Sequence, residues 1–378
     1  MKKQNGYWKL LALFAALAIF ATACGGSDTG DSAAPPLATE ADCESVDEVS
    51  LQLQWFAQAQ FAGYYAAVDQ GFYAGQCLDV TILEGGVDIV PQTVLDSGGA
   101  DYAISWVPRV LASREEGVNA VNVAQIFQRS GTLQVSFADS GIDSPEDFAG
   151  NNIGSWGFGN EFELLAGSRS VGLEPGDDFE VVQQNFDMLA LINGEIDAAQ
   201  AMIYNEYAQV LETINPETGE LFTEDDLNII DWNDVGTAML QDAIWADGNR
   251  VGDAAYDDQT TRFIAGSIQG WQWCRDNADA CVDVVLANGS TLGESHQMWQ
   301  LNEINALIWP SPGGIGVMDG DLWSQTVDVS LSEGILSSAP EDGSFTTEFA
   351  EAALELVGGD TVGDGFSKVD VELLEGGE

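Results

Sequence analysis

Two successive runs of alternating strand and helix pattern constrain this chain more than any other feature. The first run opens at residues 51–54, where Leu51 and Leu53 alternate with Gln52 and Gln54 as in a half-buried strand. That pattern breaks at Trp55, and a helical run covers 64–73. Strands are expected over 79–83, 101–105, 121–127 and 133–137, with helices over 89–96 and 107–116 between them. After Gly150 the pattern restarts: strands over 152–156, 179–184, 198–203 and 227–232, helices over 161–171, 186–193 and 206–214. Repeated βα units build parallel sheets covered by helices, so the class is α/β. Two runs of similar size imply two lobes with a cleft between them rather than one long sheet. Residues 234–245 read as the return into the first lobe, and 257–356 as mostly helix. The expected division is 48–137 with 238–357 for lobe 1 and 138–237 for lobe 2. The acidic, glycine-rich residues 358–378 are expected to fray.

Charge narrows the partners. The 378 residues hold 11 basic and 62 acidic side chains, a formal net charge of −51. Such a surface repels nucleic acid and anionic lipid. Many carboxylates with almost no lysine fit a protein working in high salt, where screening relieves self-repulsion. Aromatic content of 10% and continuous apolar periodicity exclude a disordered acidic chain.

Lys2, Lys3 and Lys9 precede an apolar run over 10–20 that is too short for a membrane span and suits an export signal over 1–23. Small residues before Cys24 resemble a bacterial lipobox, which would make Cys24 the lipidated first residue, followed by a flexible tether over 24–47. In an exported chain, Cys43, Cys77, Cys274 and Cys281 can hold disulfides. Cys43 and Cys77 each precede a strand of the first run, and parallel neighbours start side by side, which makes Cys43–Cys77 plausible. Cys274 and Cys281 would close a short loop. Zinc is disfavoured, because there is no CxxC and the single histidine, His296, stands outside both clusters.

Four strand ends carry aromatic and polar clusters: Trp55 with Gln58, Gln60, Phe61 and Tyr64; Trp106; Trp156 with Asn160; and Tyr204, Asn205 and Glu206. Each cluster alone could be core packing. All lie at the same end of their strands, where open α/β sheets bind ligands, and together they suit a flat heterocycle read by amides and a carboxylate. Arg129, at another strand end, can pair with a ligand acceptor or brace the lobes. Catalysis has little support: only Lys368 lies beyond the N-terminal run, and no cysteine or serine has a histidine motif. No metal site and no cofactor are expected.

The stretch Trp-x-x-Gln-x-Gln-Phe-Ala-Gly-Tyr-Tyr at 55–65, with Gln-Ile-Phe-Gln-Arg-Ser at 125–130, Gly-Glu-Ile-Asp-Ala at 194–198 and Gly-Thr-Ala-Met-Leu at 236–240, resembles the solute-binding lipoproteins of ABC importers. The family is the SsuA-like one related to thiamine-pyrimidine synthases. The resemblance implies a bilobal periplasmic binding protein fold of type II with two crossing strands. It implies a monomer, lipid-anchored outside the cell membrane, that captures a small aromatic ligand and passes it to a permease and its ATPase. The look is that of riboflavin-binding members; pyrimidine binders tend to have asparagines where Gln58 and Gln60 stand. Its alternative is a binder of hydroxymethyl- or formylamino-pyrimidine. The synthase relatives need a lysine-bound cofactor and a sacrificial histidine, which the folded body does not offer, so no enzyme activity is expected.

Overall fold

The computed structural model describes residues 43–157, 159–289, 291 and 293–376. Cys24, the export signal and most of the tether lie outside the described residues. The first run is β1 (Asp47–Gln52), α1 (Ala62–Asp69), α2 (Phe72–Gly75), β2 (Leu78–Leu83), α3 (Pro91–Asp96), β3 (Tyr102–Trp106), α4 (Val107–Glu115) and β4 (Ala120–Gln125). The second is β5 (Thr132–Phe137), β6 (Asn152–Ser155), α5 (Phe162–Ser170), β7 (Glu180–Gln183), α6 (Leu189–Ile192), β8 (Ala198–Met202), α7 (Glu206–Leu211), β9 (Leu227–Asp231) and α8 (Trp232–Val235). The chain returns through β10 (Asp242–Asp247) and ends in α9 (Ala254–Asp276), α10 (Ala278–Ala287), α11 (Glu294–Ile308), α12 (Gly320–Ser332) and α13 (Glu348–Leu356).

Two five-stranded sheets result, ordered β2-β1-β3-β10-β4 and β7-β6-β8-β5-β9. In each, one strand crosses from the other lobe and pairs antiparallel with both neighbours: β10 with β3 and β4, β5 with β8 and β9. The sheets are therefore mixed, where βα repetition alone implied parallel ones. Because β5 pairs inside the second sheet, lobe 2 starts between Gln125 and Thr132, not after Phe137.

Close packing sets the first lobe. A Cβ on Gly270 of α9 would sit 1.9 Å from the Gly63 carbonyl oxygen of α1, and one on Gly63 would meet the Trp271 ring at 2.2 Å. Only glycine lets these helices approach so closely. Beneath them Tyr73, Phe263, Tyr102 and Tyr256 form a stack of near-parallel rings, the tightest pair being Tyr102 and Phe263 with centroids 4.4 Å apart. The Cys43–Cys77 disulfide joins the segments leading into β1 and β2, and Cys274–Cys281 ties the end of α9 to α10. Both expected pairings are present.

Residues 358–376 do not fray. Ser311 and Ile315 donate to the carbonyls of Val362 and Thr361. Lys368 binds both oxygens of Glu303, and Asn302 pairs twice with the backbone of Val369. Val371 and Leu373 then pack on the lobe 2 core, and the Gly376 N–H donates to the Glu212 carbonyl. Alternate apolar residues and one lysine anchor a segment whose composition alone reads as a tail.

Candidate ligand-binding site

The loop after β1 is held from beneath. Gln52 Nε2 donates to the carbonyls of Leu53, Leu83 and Glu84, clamping the ends of β1 and β2 together. A Cβ at Gly85 would lie 2.4 Å from the Gln54 carbonyl carbon, so only glycine fits there. The Ala57 N–H donates to Glu84 and the Ala59 N–H to Gln297 Oε1 on α11. This leaves Trp55, Gln58 and Gln60 on the wall of a cleft of about 780 Å³ between the lobes.

From the first lobe the cleft also receives Trp106, at the end of β3, and Arg109, in the first turn of α4. The Arg109 guanidinium lies over the Trp106 ring, 5.2 Å from its centroid, and donates to Asn160 Oδ1 of the other lobe. Desolvation lowers the Arg109 pKa, opposed by Asp242 and Glu161. From the second lobe come Trp156, Phe186, Tyr204, Asn205 and Glu206. Gln200, buried on β8, accepts from the Ser155 hydroxyl and the Trp156 N–H and donates to the Asn160 carbonyl, and so fixes the loop that carries Trp156. Trp156 stacks on Phe186 with centroids 5.9 Å apart, and Phe186 meets Trp55 across the cleft at 5.4 Å.

The polar floor converges on Asp242, the first residue of β10. Its carboxylate accepts from Gln54 Nε2 at 2.6 Å, Trp106 Nε1 at 2.8 Å and Gln60 Nε2 at 3.0 Å. Burial pushes its pKa up to about 7 against these three hydrogen bonds and the Arg109 charge. Gln58 Nε2 in turn donates to Gln60 Oε1. On the far wall, Asn205 Nδ2 donates to Glu206 Oε1, Glu206 Oε2 accepts from the Met202 N–H, and Asn205 Oδ1 meets His296 Nε2 at 2.9 Å. His296 is fully buried on α11, and its Nδ1 faces the Glu212 carboxylate.

A family profile described as NMT1/THI5 like matches residues 58–280. The chain belongs to this family. Among its relatives, the riboflavin-binding protein RibY of Chloroflexus aurantiacus is 26% identical over 90% of this chain and 97% of its own length. The formylaminopyrimidine-binding protein of Halalkalibacterium halodurans is 24% identical over 66% of this chain and 73% of its own. The periplasmic aliphatic sulphonate binding protein SsuA of Escherichia coli superposes with a TM-score of 0.58 over 88% of this chain and 96% of that one, at 13% identity. The fold is thus that of periplasmic binding proteins.

Nine of the twelve ligand residues expected from sequence line this NMT1/THI5-like cleft: Trp55, Gln58, Gln60, Trp106, Trp156, Asn160, Tyr204, Asn205 and Glu206. Three do not. Phe61 and Tyr64 sit on the inward face of the turn and helix after the loop, fully buried in the lobe 1 core, with Tyr64 edge-on to Trp271. Arg129 holds the carbonyls of Ala306, Leu307, Trp309 and Pro310, and so caps the C-terminal end of α11 instead of facing a ligand. Sequence reasoning missed Arg109, Phe186, Gln200 and Asp242. The signal for Asp242 was a carboxylate heading the otherwise apolar strand Ala243–Ala246. Among the described residues no three His, Cys, Asp or Glu side chains gather to hold a metal ion. Lys368, the one lysine among them, is bound to Glu303 and does not line the cleft.

Proposed function

We propose that this chain is the extracytoplasmic receptor of an ABC importer, capturing riboflavin and handing it to a permease without changing it. The observation that carries this reading is the set of four rings drawn from both lobes, Trp55, Trp106, Trp156 and Phe186, around a cleft of about 780 Å³. A tricyclic flavin can meet aromatic walls on both lobes at once, whereas one pyrimidine ring leaves much of that wall unmatched. Contacts made with both lobes are what favour the closed form when ligand is bound, and the closed form is what a permease would read. The similarity to RibY supports the flavin; that to the formylaminopyrimidine-binding protein supports a pyrimidine as the second reading. In this proposal Cys24 anchors the monomer to the membrane by lipid. Purified protein titrated into riboflavin should quench flavin emission with a saturable, one-to-one end point. Undiminished emission, together with calorimetric binding of formylaminopyrimidine, would transfer the proposal to the pyrimidine.

A further inference from the structure

We propose that Asp242 sets the hydrogen-bond polarity of the cleft floor, so that the floor reads N–H or O–H donors on the ligand edge it meets. The inference deepens the binding function proposed above and rests on that cleft being the ligand site.

The argument is a matter of donors and acceptors. An ionised carboxylate only accepts. Gln60 therefore turns its NH2 toward Asp242 Oδ2 and its carbonyl toward Gln58. Gln58 must answer with its own NH2, which leaves Gln58 Oε1 at the end of the relay. Gln54 likewise spends its NH2 on Asp242 Oδ1. Among the described residues no donor reaches Gln54 Oε1 or Gln58 Oε1, and both side chains line the cleft. The floor thus offers two carbonyl acceptors. Their orientation follows from the carboxylate and not from any preference of the amides themselves.

The same geometry makes the Gln60–Gln58 relay reversible through Oδ2. Oδ1 is already claimed by Gln54 and by the Trp106 indole, which can only donate. A proton on Oδ2 donates to Gln60. Gln60 then turns over, Gln58 follows, and an NH2 replaces the carbonyl in the cleft. The groups facing this carboxylate are Arg109 on α4, which favours the ionised form, and the phenols of Tyr64 on α1 and Tyr204 beyond β8, both held neutral by burial with Asp242 adding to the effect. Burial, opposed by the hydrogen bonds to Asp242 and by the Arg109 charge, places the switch at about pH 7.

The test has a ligand-free arm and a flavin arm. In protein labelled at the glutamine side-chain nitrogens, the Gln58 and Gln60 amide resonances should shift together with one midpoint near pH 7, and Asp242→Asn should abolish that shift. Amides that do not titrate, or that titrate unchanged in the variant, overturn the relay. In the second arm, run well above pH 7 where Asp242 is ionised, riboflavin should bind roughly tenfold more tightly than a flavin with its ring N–H methylated or its ribityl chain removed, as loss of one matched donor predicts. Asp242→Asn should narrow whichever preference is found to within about threefold, a change of ratio that a merely structural role would not produce. Equal affinity for all three flavins overturns the donor-reading floor. If wild-type protein binds no flavin while its amides titrate as stated, the flavin assignment falls and the relay stands.

Discussion

Arg129 separates a binding residue from a structural one. Its guanidinium serves four carbonyls at the end of α11, from 3.0 Å at Pro310 to 3.5 Å at Trp309. Arg129→Ala removes a charge-assisted hydrogen-bond set, each strong contact worth about 1.5–3 kcal/mol and the helix-end charge about 1 kcal/mol. Contacts longer than 3.2 Å are weak, so only the Pro310 bond counts in full. The expected loss is about 2–3 kcal/mol, which in a chain of this size lowers the melting temperature by roughly 2–6 °C. Riboflavin affinity at 20 °C should stay within about twofold, because no Arg129 atom lines the cleft. Scanning calorimetry and flavin fluorescence on the same preparation decide the matter. An unchanged melt with a tenfold loss of affinity would refute the capping role and restore Arg129 to the site.

The opposite pattern is expected at Trp55, which is half-buried at the cleft and meets Phe186 from the other lobe. Trp55→Ala should weaken flavin binding about tenfold or more while the melt moves little. Lys368→Ala strips the counter-charge from Glu303, whose carboxyl burial holds above its ordinary pKa. The loss, about 1 kcal/mol once screening of the half-exposed lysine is allowed for, should shrink as the pH falls, because burial makes Glu303 take a proton more readily than a free carboxylate, and denaturant unfolding across that range reads the difference. Asp242 and Glu163 are raised by burial from ordinary values of 3.8 and 4.5 to about 7. The folded state thus holds these protons more tightly than the unfolded chain. Their contribution is whole below about pH 4 and is lost as the pH climbs through 7, so the melting temperature should fall between pH 5 and 8. The double variant Asp242→Asn, Glu163→Gln should flatten that slope.

The strand and helix pattern disclosed the lobes because period-2 and period-3.6 spacing survive in a single sequence. It also placed the aromatic strand ends, since each parallel strand delivers its last residue to the ligand edge. It failed at Phe61 and Tyr64, where the helical turn after the loop rotates alternate aromatics from the cleft into the core. It failed again at residues 358–376, where two apolar anchors and one lysine are outnumbered by acids and glycines.

The omission of Asp242 has a more general cause. A search that inspects the C-terminal ends of strands assumes that all strands run the same way. The strand β10 runs antiparallel to β3, with Asp242 opposite Trp106. Its first residue, not its last, therefore arrives at the edge where the parallel strands end. The partners of that residue, Gln54 and Gln60, stand 188 and 182 positions away, a separation that no local pattern registers. In the second lobe β5 does the same, with Thr132 opposite Met202, the last residue of β8. A crossing strand thus exchanges its ends relative to its neighbours. In a bilobal fold of this kind, the carboxylate that organises the floor should be sought at the start of the returning strand, where the chain has just re-entered the first sheet.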